Sequence, residues 1–201
     1  MIKNVIFDIG NVLVKWSPRE IITMTFGDDV NVDELMAILI HNQPFFDLNR
    51  GYFSLEKAKT LIKESTEYSQ ADIDHLFDNL FTSLTPIEGS FALLQRLHQA
   101  GYKLFSLTDN VHEVITYLQE KYEFWPYFYD AVVSADVGLL KPDPKIYEIL
   151  IKQCQILPQE SVFMDDMPAN VLGAQKAGIH AFQFTTAEDA QQQLNAMGLV
   201  F

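Results

Sequence analysis

The chain is 201 residues long, 48% apolar, and carries a net charge of -13, enough hydrophobic side chain for one domain with a sizeable core and a modest insertion. The acidic balance, with a pI near 4.6, argues against nucleic acid or anionic membrane as a partner. The single cysteine, Cys154, excludes an internal disulfide and fits a reducing, cytoplasmic setting, the apolar N-terminus is broken by Asp8 with no cleavage site, and no stretch nears the roughly 20 apolar residues that span a bilayer.

The first element, KNVIFD, is a short β-branched and aromatic strand that ends on Asp8 and is followed by the turn-formers Gly10 and Asn11. Residues 15–85 then read as helices: near 18–26, near 32–42, one opening at Ser54, where SLEK has the look of a capping box, and near 70–81. Asn49 and Arg50, ahead of Gly51, read as a solvated loop between two of them in preference to a substrate contact, and Trp16, Phe26, Phe45, Phe46, Tyr52 and Phe53 as packing residues. From Pro86 onward helix and strand alternate. A helix over 88–100 places Phe91, Leu94 and Leu97 on one stripe and stops at Gly101; the strand YKLFSL runs into Thr108, Asp109 and Asn110; a helix over 111–121 leads to the strand DAVVSA. Asp143 reads as an N-cap with Pro144 at the first helical position. SVFMD, ending at Asp165 and Asp166, a helix near 168–177 stopped by Gly178, and the strand HAFQF complete the series.

This rhythm predicts an α/β fold: a doubly wound, parallel, Rossmann-like core from residues 1–14 and 86–201, with 15–85 inserted as an α-helical cap. A parallel crossover needs only a dozen or so residues, so the excess is expected beside the strand ends, where ligands of such sheets bind. Asp8, Thr108, Lys141 and the Asp165–Asp166 pair all fall at strand ends or in the loops after them. Carboxylates, a hydroxyl and an ammonium on one sheet edge suit a hard cation, Mg2+, and a phosphate. Asp8 is placed to attack phosphorus. Asp109 and Asn110 are candidates for substrate contact or for helix capping, the cap reading being the better one for Asn110. His112 reads as a helix-surface histidine.

At these motifs the chain resembles the haloacid dehalogenase superfamily, in the branch with a helical cap between the first and second motifs. FDIGNVLV, LTDN, GLLKPDPKIY and FMDDMPANVLGAQKAGI stand in the order and spacing of its four motifs, and KPDP with DDxxxN is the specific part. The resemblance implies Asp8 as nucleophile, Thr108 and Lys141 on the phosphoryl group, Asp165 orienting a water or Lys141, and Mg2+ held by Asp8, Asp166 and the Gly10 backbone carbonyl. It departs from the family's phosphatases at Gly10, where they carry the aspartate that protonates the leaving group. The F-D-x-G-N-V form is similar to a subgroup that includes sugar-phosphate phosphatases. The expected function is therefore a magnesium-dependent phosphatase of a small metabolite, a sugar phosphate and specifically a sugar 1-phosphate, through an aspartyl-phosphate on Asp8. The alternatives are a dehalogenase-type hydrolase, a weak or inactive family member that binds a phosphorylated ligand, and a phosphate-sensing receiver domain. The receiver is disfavoured because its acids and acceptor come in the reverse order.

Overall fold

In the computed structural model, which describes residues 1–201, the run Asn4–Phe7 forms β1 and is buried at all four positions. Five helices follow within residues 18–83: α1 (Pro18–Phe26), α2 (Val32–Leu39), α3 (Gln43–Asn49), α4 (Leu55–Glu64) and α5 (Gln70–Ser83). The remaining elements are α6 (Ser90–Gln99), β2 (Lys103–Thr108), α7 (His112–Lys121), β3 (Asp130–Val133), α8 (Ser134–Val137), α9 (Pro144–Gln153), β4 (Ser161–Asp165), α10 (Pro168–Lys176), β5 (His180–Gln183) and α11 (Ala187–Ala196).

All five strands are parallel, in the order β3-β2-β1-β4-β5. Side chains of a strand alternate between faces, and each face carries its own apolar cluster. Val5, Phe7, Leu104, Val162 and Met164 point to one; Ile6, Phe105, Leu107 and Phe163 point to the other, under α9 and α10. The first cluster runs without a break into Ile21, Leu35, Ile62, Phe77 and Leu80 of the inserted helices. At about 1.5–3 kcal/mol for each large side chain withdrawn from water, this shared cluster ties the insertion to the sheet.

The helix starts follow local chemistry. Ser17, Asn31, Asn42, Ser54, Ser69, Asp143 and Thr186 each accept a backbone N–H of the first turn of α1, α2, α3, α4, α5, α9 and α11 in that order. The capping box expected at Ser54 is not formed, because the third helical residue is Lys57, which has no acceptor to reach back with. The box lies instead at Ser69, whose backbone N–H donates to Asp72. Three further corrections concern element ends. Residues 43–49 are helical where the sequence reads as irregular. The strand expected to run through Ala135 ends at Val133 and turns into α8, and α11 extends the alternation beyond β5.

The turn after α3 sits directly on α8. Gly51 has φ +70°, and a Cβ there would stand 2.1 Å from the Ala135 carbonyl oxygen. Neither the conformation nor the space admits a side chain. Gly51→Ala is expected to lower the melting temperature by several degrees, at about 2–4 °C per kcal/mol for a chain of this size. An unchanged melting temperature would show that this turn is not seated on α8 in solution.

Candidate active site

β1 lies at the centre of the sheet with β2 on one side and β4 on the other, so the residues just past their C-terminal ends share one crevice. Asp8 follows β1, Asp165 closes β4, and both are buried. Lys141, from the loop before α9, comes between them. Its Nζ stands 2.9 Å from Asp8 Oδ2 and 2.7 Å from Asp165 Oδ2, and also donates to the Leu107 carbonyl at 3.1 Å. The ammonium thus has three acceptors for its three protons.

The surrounding groups fix this arrangement. Asp165 Oδ1 accepts from the Met167 backbone N–H at 2.8 Å, and Asn170 Nδ2 donates to both oxygens of the same carboxylate at 3.0 and 3.1 Å. Asn170 is itself held by Tyr147, whose hydroxyl donates to the Asn170 carbonyl at 2.8 Å. The Asp109 carboxylate accepts from the Lys141 backbone N–H at 3.0 Å. Asn11, at φ +52° in the left-handed region that asparagine tolerates, donates to Asp166 Oδ2 at 3.0 Å and accepts from the Trp16 backbone N–H.

Carboxylate oxygens of Asp8, Asp165 and Asp166 lie within 4.8 Å of one another. Three acids and one ammonium leave a deficit of positive charge in a site with little water. Burial pushes the Asp8 carboxyl up to about 8 against the pull of Lys141, with Asp165 adding to the rise. Burial also raises Asp109 and Asp166. For Lys141 burial acts downward, but Asp8, Asp165 and Asp109 outweigh it and hold the ammonium above the usual lysine range. The donor set, hard oxygens short of cationic charge, suits Mg2+. Both oxygens of Asp165 are engaged by Lys141, Asn170 and Met167, and those of Asp8 by Lys141 and, at 2.7 Å, the Ile9 backbone N–H, whereas Asp166 accepts from Asn11 Nδ2 on one oxygen, so Asp166 is the freest carboxylate to face an ion.

A cavity of about 430 Å³ opens above this floor, between the inserted helices and the strand ends. Asp8, Gly10, Asp109, Asn110, Lys141 and Asp166 line it, together with Asn11 and Asn170. Thr108 is buried at the end of β2, off the cavity wall, and Asn110 Nδ2 stands 3.5 Å from its hydroxyl. The α7 cap position falls on Val111, so Asn110 does not serve as the N-cap expected of it. His112 is exposed and stands 3.4 Å from Asp136. Asn49 is not a solvated loop residue. It ends α3, lines the cavity, and its carbonyl accepts from Ser134 Oγ at 2.6 Å, while the same Oγ accepts from the Asn110 backbone N–H.

Sequence reasoning missed Asn11, Ser134 and Tyr147. Asn11 carried a usable signal, being a turn residue three positions after a strand-end acid. The Ser134 link joins residues 85 apart in the chain and has no local signature.

Comparison with known proteins agrees with this geometry. A model of the haloacid dehalogenase-like hydrolase family matches residues 40–184. A sesquiterpene phosphatase of Aspergillus oryzae is 25% identical over 91% of this chain and 90% of its own length. A D-ribitol-5-phosphate phosphatase of Bacteroides thetaiotaomicron is 22% identical over 98% of both. The chain also matches 36% of the length of a drimenol cyclase of Aspergillus calidoustus. Among solved structures, a haloacid dehalogenase family enzyme of Bacteroides thetaiotaomicron in complex with magnesium and inorganic phosphate superposes with a TM-score of 0.78 at 21% identity, covering 96% of this chain and 99% of that one. A HAD-like family hydrolase of Porphyromonas gingivalis gives 0.81 at 24%, covering all of both chains.

The raised Asp8 carboxyl has a consequence for the metal-free protein. The folded state keeps a proton that the unfolded chain, with an ordinary carboxyl near 3.9, has released. Stability therefore falls as pH rises between about 4 and 8. In chelator, Asp8→Asn is expected to flatten that decline and to raise the melting temperature at pH 8 by a few degrees, since the amide oxygen still accepts from Lys141. A lower melting temperature for the variant at pH 8 would show that the ionised carboxylate stabilises the fold.

Proposed function

The chain belongs to the haloacid dehalogenase-like hydrolase family, and on that premise we propose that it is a magnesium-dependent phosphatase of a small phosphorylated metabolite. The observation that carries the reading is the Lys141 ammonium set between Asp8 and Asp165, with Asp166 alongside, at the floor of an enclosed cavity. In this reading residues 15–85 are the cap over a core of 1–14 and 86–201, and the protein works in the cytoplasm, where the lone buried Cys154, its thiol pushed up to about 12 by burial, stays reduced and unreactive.

The reaction follows from the side chains. A carboxylate oxygen of Asp8 bonds to phosphorus as the bond from phosphorus to the alcohol oxygen breaks. The alcohol leaves with that electron pair and takes up a proton. A water molecule then attacks the aspartyl-phosphate, its proton passes to solvent, and inorganic phosphate and the Asp8 carboxylate are released. Lys141 neutralises charge on the phosphoryl oxygens. Asp165, with both oxygens held, positions Lys141, and Asp109 holds the Lys141 backbone. Asp109 and Asn110 face the substrate from the β2 side of the cavity, and we assign Thr108, in the second motif and buried behind Asn110, to the phosphoryl group on the resemblance. Bound Mg2+, held by Asp8, Asp166 and the Gly10 carbonyl, supplies neutralisation of phosphate charge.

The two phosphatase relatives act on very different alcohols by their names, a sesquiterpene and a polyol. The polyol relative stands behind the sugar-phosphate expectation and the sesquiterpene relative behind an apolar alcohol, and in either class the absence of a side-chain acid at Gly10 favours leaving groups that tolerate negative charge. General acid catalysis contributes roughly 10²–10⁴-fold. An anomeric phosphate needs that help least.

Substitution, chelation and substrate choice test this reading. Asp8→Asn is expected to abolish phosphate release from every ester while the protein stays folded, and wild-type turnover to require Mg2+. Asp166→Ala should lose more activity than Asp165→Ala if Asp166 is the ligand and Asp165 acts behind it, where losses of about 10–100-fold are usual. Full activity in excess chelator would refute the magnesium assignment. Equal losses would refute the assignment of the ligand. The leaving-group argument predicts a higher kcat/KM for a hexose 1-phosphate than for the matching 6-phosphate. Gly10→Asp should narrow the gap, since a Cβ at Gly10 meets only Trp16 Cβ, at an ordinary 3.6 Å. A preference for the 6-phosphate would defeat it.

A further inference from the structure

The wall of the cavity differs in kind from its floor. The floor is ionic. Above it the inserted helices present aromatic and aliphatic side chains. Trp16, Phe45 and Phe77 form a continuous series, with ring centroids 6.2 Å apart for the first pair and 6.4 Å for the second, and Leu80, Phe81 and Val114 extend it.

The polar groups on this wall are few. Lys141 is the only lysine or arginine on the lining, and it is committed to Asp8 and Asp165. A leaving group with its own carboxylate or second phosphate finds no counter-charge there. Of the side chains lining the cavity from the inserted helices and their loops, Trp16, through its indole N–H, His41 and Asn49 are the ones that carry polar atoms. Asn49 Nδ2 is already spent on the Phe45 carbonyl at 2.8 Å, and His41 is exposed. A polyol placed here would exchange the water at its several hydroxyls for no more than the Trp16 indole N–H, the His41 ring and the remaining atoms of the Asn49 amide.

Resting on the phosphatase reading, we infer that the substrate is the phosphomonoester of an uncharged, apolar alcohol, whose hydrocarbon part fills the space between the aromatic series and α7. A cavity of about 430 Å³ lies in the range that takes a ligand of moderate size.

The test keeps the leaving group constant and varies only apolar length. Monoethyl, monobutyl, monohexyl and monooctyl phosphate are all esters of primary alcohols. With Mg2+ present, kcat/KM is expected to rise about fourfold per methylene until the cavity is full. Pentyl phosphate should exceed ribitol 5-phosphate, of equal carbon number, by tenfold or more. Binding of the matching alkylphosphonates, measured by calorimetry, should show the same increment without any need for turnover. Phe81, half-buried on the wall, gives a variant check: Phe81→Ser should flatten the long end of the series and Phe81→Leu should retain it. A flat alkyl series, or ribitol 5-phosphate equal to or better than pentyl phosphate, would overturn the inference and leave the phosphatase reading intact. If no ester turns over, p-nitrophenyl phosphate included, the phosphatase reading fails, and the phosphonate affinities then decide the inference: a rise with length supports it and a flat series overturns it.

Discussion

Burying Asp8 and Asp165 at the end of a parallel sheet, with Asp166 half-buried beside them, is unfavourable unless something cationic meets them, and in this protein that something is the ammonium of Lys141. An isolated buried ion costs several kcal/mol even after relaxation. Lys141 reduces that cost for Asp8 and Asp165 together, through contacts of 2.9 and 2.7 Å. The compensation is partial, because two acids share one cation and Asp166 stands outside the pair. The residual deficit is what a divalent ion and the phosphate it accompanies are suited to resolve. The arrangement therefore trades stability of the free protein for a site prepared to receive charge.

The sheet order explains why these groups meet. Chain progression runs from β1 outward through β2 and β3 on one side and through β4 and β5 on the other. The connections leaving β1 and β4 diverge, which opens a crevice at the carboxyl ends of those two strands. Asp8 stands on one lip, Asp165 and Asp166 on the other. The inserted helices follow β1 immediately, so the segment that carries Asp8 leads straight into the roof. Gly51 against Ala135 and the Ser134 hydroxyl bonded to the Asn49 carbonyl seat that roof on the β3 side.

How much of this was legible in the sequence depended on how local its cause was. Buried strands that end in acids stand out because apolar runs and carboxylates rarely adjoin, so Asp8, Asp165 and Asp166 were visible at once. Alternation of strands and helices after Pro86 fixed the fold class for the same reason. Helix α3 was obscured by Pro44, which reads as a break, although a proline in the first turn behind Asn42 is a start signal. At Ser54 the cap was legible and the box was not, since the acid sits one residue too early. Helix α11 lacks a strong apolar stripe and buries mainly Ala187, Ala190 and Leu194. Asn110 was misread because its loop bends toward Ser134, a partner 24 residues away. Nothing near Asn110 in the chain announces that partner.

The floor and the wall of the cavity act together. Two unit charges about 4 Å apart interact by about 1 kcal/mol in water and by about 4 kcal/mol at an effective dielectric near 20. Rings and aliphatic side chains above Asp8 and Lys141 hold the site nearer the second condition by keeping water from the reacting groups. Burial raises the Asp8 carboxyl against the pull of Lys141, so on the proposed function Asp8 would depend on the charge that arrives with the metal and the phosphate. An apolar leaving group would complete the enclosure by displacing the remaining water, whereas a hydrated one would carry water in with it. On the proposed function, selection for an apolar alcohol and electrostatic stabilisation of the transferring phosphoryl group would be two results of one lining.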